Sequence, residues 1–193
     1  AGLQQGRYQR RHTCADLRNP LPQNRRILGI DPGSRVTGFG VLDVVRDKPK
    51  YVAGGTVGSA DGTFPERLRQ IFGSVSEIVA EYRPDIVAIE SVFMHKNASS
   101  ALKLGHARSA ALCATFEFDV EVFEYAPREI KQAIVGTGAA TKEQVQHMVV
   151  ALLDLDAAPA ADASDALATA LCHAHQHRVR ATFDAGGATV VGQ

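Results

Sequence analysis

Two short apolar runs, residues 26–31 (RILGID) and 85–90 (DIVAIE), each end on a carboxylate, and a single amphipathic segment lies between them. In that segment Leu68, Ile71, Phe72, Val75, Ile78, Val79 and Tyr82 recur every three or four residues, and Pro84 closes it, which predicts a helix. A strand, a crossover helix and a second strand in one sheet run parallel, so both strands finish at the same edge. This arrangement commits the chain to an α/β core with Asp31 and Glu90 as neighbours. A carboxylate at a sheet's edge is costly unless it is solvated, hydrogen-bonded or bound to a cation, so the pair calls for a partner.

The rest of the pattern fills in around that unit. Residues 36–45 and 51–57 are rich in β-forming residues and flank a polar turn over 46–49, which extends the first strand into an antiparallel meander. An alanine-rich helix is expected over 98–116, and a further strand over 120–125. Pro127 then suits a helix's first turn, with Gly136 as its stop. Gly136 and Gly138 also suit a loop whose backbone a partner can approach closely. Thr141 and Gln144 form a capping box ahead of the stripe Val145, Met148, Val149, Leu152 and Leu153. A last helix starts near Asp162, and the chain is expected to fray beyond His177. The organisation is thus a flexible extension over 1–25, one domain over 26–178 and a flexible tail over 179–193.

The 193 residues suffice for one well-buried domain and are too few for two ordinary ones. The formal net charge of zero hides an asymmetry, because the first 26 residues hold six arginines against one acid, Asp16. The remainder is acidic by five, so nucleic-acid contact would rely on local patches. No long apolar run or secretory signal is found. Cys14, Cys113 and Cys172 lack metal-ligand spacing, and Cys113 and Cys172 read as buried reduced thiols, which favours the cytoplasm. His173 and His177, four apart but without a third ligand, read as a partly exposed helix face.

Asp162 and Asp165, three apart, share one helix face. Alone they would be ordinary helix-start acids. Joined to two strand-end carboxylates, they form a set of hard oxygen donors suited to magnesium and to two-metal phosphodiester hydrolysis, with ions roughly 3.5–4 Å apart.

The segments GIDPGSRVTGFGV, AIESVFMHKNASSALKLGHAR, VFEYAPREIKQAIVGTGAATKEQVQHMV and ADASDALATALCHAH together resemble the RuvC family of Holliday junction resolvases, in order and spacing, over about residues 26–175. The resemblance implies an RNase H-like fold with a mixed five-stranded sheet, three antiparallel strands then two parallel, and helices on both faces. It implies a homodimer that nicks two opposed strands of a four-way DNA junction with Mg2+, or Mn2+ as substitute, two ions per site. By matching motifs Asp31, Glu90, Asp162 and Asp165 become the catalytic, metal-holding acids, with Asp165 either ligand or base. Lys131 and Lys142 match basic positions near the scissile phosphate, Lys142 being counted with the catalytic groups. RuvA and RuvB are the implied partners.

No acid occurs between Ser91 and Phe116, while Lys96, Lys103 and Arg108 do, with Asn97 among them. This segment can meet phosphates without repulsion, although an ordinary solvated helix face has the same composition. Phe93 matches a family position that meets bases at the junction, and Arg35 is a weaker phosphate contact. The small-residue surface Ala98, Ala101, Leu102, Gly105, Ala110 and Ala111 fits close helix packing, against either the sheet or a second copy. Competing readings are an actin-like or sugar-kinase ATPase, for which the chain is short, another RNase H-like nuclease, and a non-catalytic junction-binding protein. Metal-dependent cutting separates the last from an enzyme.

Overall fold

The computed structural model describes residues 24–58, 62–91 and 98–186, with side chains as far as His177. Three strands come first: β1 (Asn24–Asp31), β2 (Thr37–Val45) and β3 (Lys48–Val57). The helix α1 (Phe64–Tyr82) leads to β4 (Ile86–Glu90), and α2 (Ala98–Cys113) to β5 (Glu121–Tyr125). Three helices follow, α3 (Pro127–Val135), α4 (Lys142–Leu153) and α5 (Ala161–Gly186). The sheet order is β3-β2-β1-β4-β5, antiparallel among the first three strands and parallel from β1 through β4 to β5.

The two-residue period of the central strands divides the core into two layers. Leu28, Ile30, Val41, Val87 and Ile89 face Ile71, Val75 and Val79 of α1 and Ala107 and Ala111 of α2. Ile27, Leu42, Ile86 and Ala88 face the other way, onto Ile130, Ile134, Val145, Val149, Leu167 and Leu171 of α3, α4 and α5. Helices on both faces are therefore built directly into the strand sequences.

Local chemistry sets most boundaries. Arg46 and Asp47 adopt φ of 50° and 62°, so the β2–β3 turn takes two residues with left-handed backbone, which suits the twist of a hairpin. The four-residue turn expected over 46–49 is corrected, because Lys48 and Pro49 already pair with Val45 and Val44. Pro49 is tolerated there because β3 is an edge strand. The Arg26 guanidinium donates to both Asp43 carboxylate oxygens at 2.7 and 2.9 Å and to the Tyr82 carbonyl at 2.9 Å, tying the hairpin to the end of α1. Thr141 Oγ1 accepts from the Gln144 amide at 3.3 Å, and Gln144 Oε1 accepts from the Thr141 amide at 2.9 Å, the reciprocal cap expected for α4. Gly136 ends α3 with φ of 84°, as its helix-stop reading required.

Other expectations are corrected. Cys113 is exposed at the last position of α2, since Ala107 and Ala111 take that helix's buried face; Cys172 is buried as expected. Strand β1 starts at Asn24, inside the span assigned to the extension, and α5 continues to Gly186 instead of fraying beyond His177. His173 is buried, with 2% of its surface exposed, and its Nδ1 lies 2.7 Å from the Tyr125 hydroxyl. That partner makes burial of a polar ring tolerable.

Candidate active site

Asp31 closes β1 and Glu90 closes β4, and the two strands pair in parallel with Ile30 beside Ile89. The acids thus sit side by side at the sheet's carboxyl edge, where α/β sites are usually built. Each strand end is fixed from its flank. The Ser91 amide and hydroxyl both donate to the Tyr125 carbonyl, at 2.9 and 3.1 Å, holding the chain directly after Glu90. Beyond Asp31, the fully buried Thr37 receives a hydrogen bond from the Gly33 amide and donates one to the Gly33 carbonyl, both at 3.3 Å, which closes the turn.

The other two acids arrive on α5, which lies on the strands because they present glycines there. A Cβ on Gly38, the residue paired with Asp31, would stand 1.9 Å from the Asp162 carbonyl oxygen. One on Gly29 would stand 2.0 Å from the Ala166 carbonyl oxygen. Only hydrogen at these positions lets the first turn of α5 reach the strand ends. Asp162 and Asp165 are then delivered to the edge occupied by Asp31 and Glu90.

Basic side chains from α3 and α4 meet this cluster. Lys142 Nζ pairs with Asp165 Oδ2 at 2.9 Å, joining the start of α4 to α5. Burial, then Glu90 and Asp165, push the Asp31 carboxyl up to about 8, with Lys142 opposing and Asp162 adding to the rise. Burial and Asp165 push Glu90 up to about 7, opposed by Lys142 and Lys131. Asp165, helped by Asp31 and Asp162, raises the Lys142 ammonium, so it stays charged. Asp31, Glu90, Asp162, Asp165, Lys131 and Lys142 therefore share one electrostatic neighbourhood. Among the described residues, no three His, Cys, Asp or Glu side chains stand close enough together to hold an ion by themselves. The donor set nevertheless suits magnesium, which takes a few carboxylate oxygens and completes its shell with water and substrate phosphate.

These shifts give a pH expectation. A carboxyl raised in the fold binds protons that the unfolded chain has released, so its contribution to stability is complete below about pH 4 and lost as pH rises through 7 and 8. In EDTA, Tm is expected to fall from pH 6 to pH 9, and millimolar Mg2+ to remove most of that fall. A metal-free Tm that does not change over this range would contradict the burial of mutually repelling carboxylates.

The remaining sequence-derived contacts fare unevenly. Arg35 lies exposed in the turn after Asp31, and Lys103 is exposed on α2. Arg108 is largely buried and its Nη2 meets Glu124 Oε2 of β5 at 2.6 Å, an ion pair without an aligned hydrogen bond. The β5 carboxylate thus holds that cation in the folded chain. Phe93, Lys96 and Asn97 lie outside the described residues. Sequence reasoning missed Thr37, Gly29 and Gly38. The paired glycines in TGFG were the available signal for a helix packed directly on backbone.

A mixed sheet in this order, acids at two adjacent strand ends and acids on the last helix define an RNase H-like nuclease. Crossover junction endodeoxyribonuclease RuvC is the family matched over residues 27–173. Proteins of that name from Chromohalobacter salexigens and Methylococcus capsulatus are similar, the first 54% identical over 80% of this chain and 83% of that protein. The second is 58% identical over 79% of this chain and 92% of its own length. A Thermus thermophilus RuvC solved in complex with Holliday junction substrate superposes with a TM-score of 0.75 at 38% identity, covering 81% of this chain and 96% of that one. The chain belongs to the RuvC family. It is an endodeoxyribonuclease, a Holliday junction resolvase of DNA recombination and repair, and divalent-metal dependence goes with that class.

Proposed function

We propose that Asp31, Glu90, Asp162 and Asp165 hold two Mg2+ ions, with Mn2+ as substitute, while a homodimer makes paired, symmetric nicks in two opposed strands of a four-way junction. The observation that supports this most is the meeting of two strand-end carboxylates in parallel register with the acidic first turn of α5. When bound, the ions activate a water and stabilise the leaving oxygen. Asp31, whose carboxyl feels Glu90, Asp165 and Asp162 together, would be the central ligand. Lys142, charged and exposed beside Asp165, places its ammonium where charge develops on the scissile phosphate. Lys131, which faces Glu90, supplies a second cation, and Arg35 and Lys103 meet flanking phosphates. Phe93, Lys96 and Asn97 complete the DNA contact, Phe93 as a stacking platform for an unpaired base.

A second copy is accommodated by the outer faces of α1 and α2. Leu102 is 63% exposed and Phe72 40%, Phe116 just after α2 is 67% exposed, and Gly105 faces open space. Such a surface suits helix packing between subunits better than solvent. RuvA and RuvB are the proposed partners and the cytoplasm the proposed compartment; no helix among the described residues is long and apolar enough to cross a membrane.

The test is incubation of end-labelled four-way junction, linear duplex and nicked duplex with Mg2+, Mn2+ or EDTA. Symmetric paired nicks confined to the junction and dependent on metal are expected. Tight junction binding with no metal-dependent nick would overturn the assignment of the acids. Lys142→Ala is expected to reduce cleavage by about 10²-fold, with junction affinity changed by less than about tenfold. Equal losses in both assays would make Lys142 a positioning contact.

A further inference from the structure

Lys142 is the first residue of α4, following the cap residue Thr141. A cation there opposes the helix dipole, so its location requires a favourable counter-charge. That charge is Asp165, 2.9 Å away, with Asp31 and Asp162 adding to the attraction. The lysine side chain is 74% exposed whereas Asp165 is 21% exposed, so the mobile partner reaches inward from solvent to a carboxylate held by its helix. We propose that Lys142 is a placeholder cation that competes with the divalent ion for Asp165, so that the ion set is completed only when a DNA phosphate draws the lysine away. The inference rests on the reading of the four acids as metal ligands.

The physical argument is one of shared acceptors. An ammonium bound to Asp165 occupies an oxygen that an incoming ion needs, and the two cations repel each other across the site. A phosphate entering the site offers Lys142 an anionic acceptor and offers the ion an additional oxygen. DNA binding and ion uptake then favour each other, and the coupling is reciprocal. Without DNA the lysine lowers ion affinity, which limits complete loading of the free enzyme. With DNA the same side chain moves to the phosphate, where its charge assists cleavage.

The experiment measures Mn2+ binding to DNA-free full-length protein at pH 8, from the electron paramagnetic resonance signal of free Mn2+. Lys142→Gln is expected to tighten binding about two- to fivefold, the range an exposed ion pair is worth. Lys142→Arg, which keeps the charge, should bind as wild type does. In an Asp165→Asn background the Lys142→Gln change should have a smaller effect, because the contested carboxylate is gone and only the repulsion between the two cations remains. If Lys142→Gln leaves Mn2+ affinity unchanged or weakens it while Asp31→Asn weakens it tenfold or more, the placeholder role is overturned and the metal site stands. If Mn2+ binds Asp31→Asn as tightly as wild type, the underlying assignment of the acids fails and this proposal fails with it.

Discussion

Replacing Asp31 with asparagine is expected to reduce junction cleavage by about 10³-fold or more while leaving junction binding close to wild type. The amide preserves shape but is a poor ligand for a hard cation, and loss of several kcal/mol of charge stabilisation corresponds to about three powers of ten in rate. The same change should raise metal-free stability at pH 8 by about 1–3 kcal/mol, because it removes a carboxyl that burial and its neighbours have pushed up to about 8. That figure is kept well below the full shift, since water reaches the site and screens it. Cleavage in Mg2+, binding by electrophoretic mobility shift and denaturation in EDTA measure the three quantities. A variant that still nicks efficiently would remove Asp31 from the reaction, and one less stable in EDTA would show that its charge is compensated in the fold.

Replacing Gly38 with alanine should damage the site from behind. The added methyl would stand 1.9 Å from the Asp162 carbonyl oxygen, so either β2 or the first turn of α5 has to move. Overpacking of this kind costs about 1–3 kcal/mol, which a domain with two buried layers survives. The greater effect falls on chemistry, because a shift of about 1 Å in a catalytic group can cost about 10²-fold in rate. Thermal denaturation and single-turnover cleavage should therefore diverge, with a folded protein that cuts slowly. Full cleavage by Gly38→Ala would show that the start of α5 tolerates displacement and that Asp162 contributes little.

The site's frame was legible in the sequence because its two strands carry their own punctuation. RILGID and DIVAIE end in acids, one helix lies between them, and the parallel connection leaves a single arrangement in which both carboxylates reach one edge. The capping box at Thr141 and the stop at Gly136 were equally local and were read correctly. Legibility ended where a residue's environment is made by distant parts of the chain. Arg108 lies in an acid-free segment, yet its partner Glu124 comes from β5, sixteen residues on. His173 sits on a helix face whose depth depends on how closely α5 packs against Tyr125 of β5. The turn at Arg46 and Asp47 was read as too long because the polar run continues through Pro49, and only its edge position makes proline acceptable within β3. Assignment of Lys131 and Lys142 to the site came from family likeness, as charge pattern alone does not distinguish either from an exposed surface lysine.

The placement of α5 also bears on synthesis of the protein. This helix supplies Leu167, Ala168, Ala170, Leu171 and Cys172 to one of the two cores and carries Asp162 and Asp165. The ribosome produces it after every strand of the sheet, at about 5–20 residues per second. A nascent chain that has emerged only through α4 presents Asp31 and Glu90 beside a sheet face that α3 and α4 cover only in part, and lacks the acids opposite them. On the proposed reading of the four acids, a complete site and burial of that face are therefore acquired together, late in translation, so a polypeptide interrupted before α5 is unfinished in both fold and site.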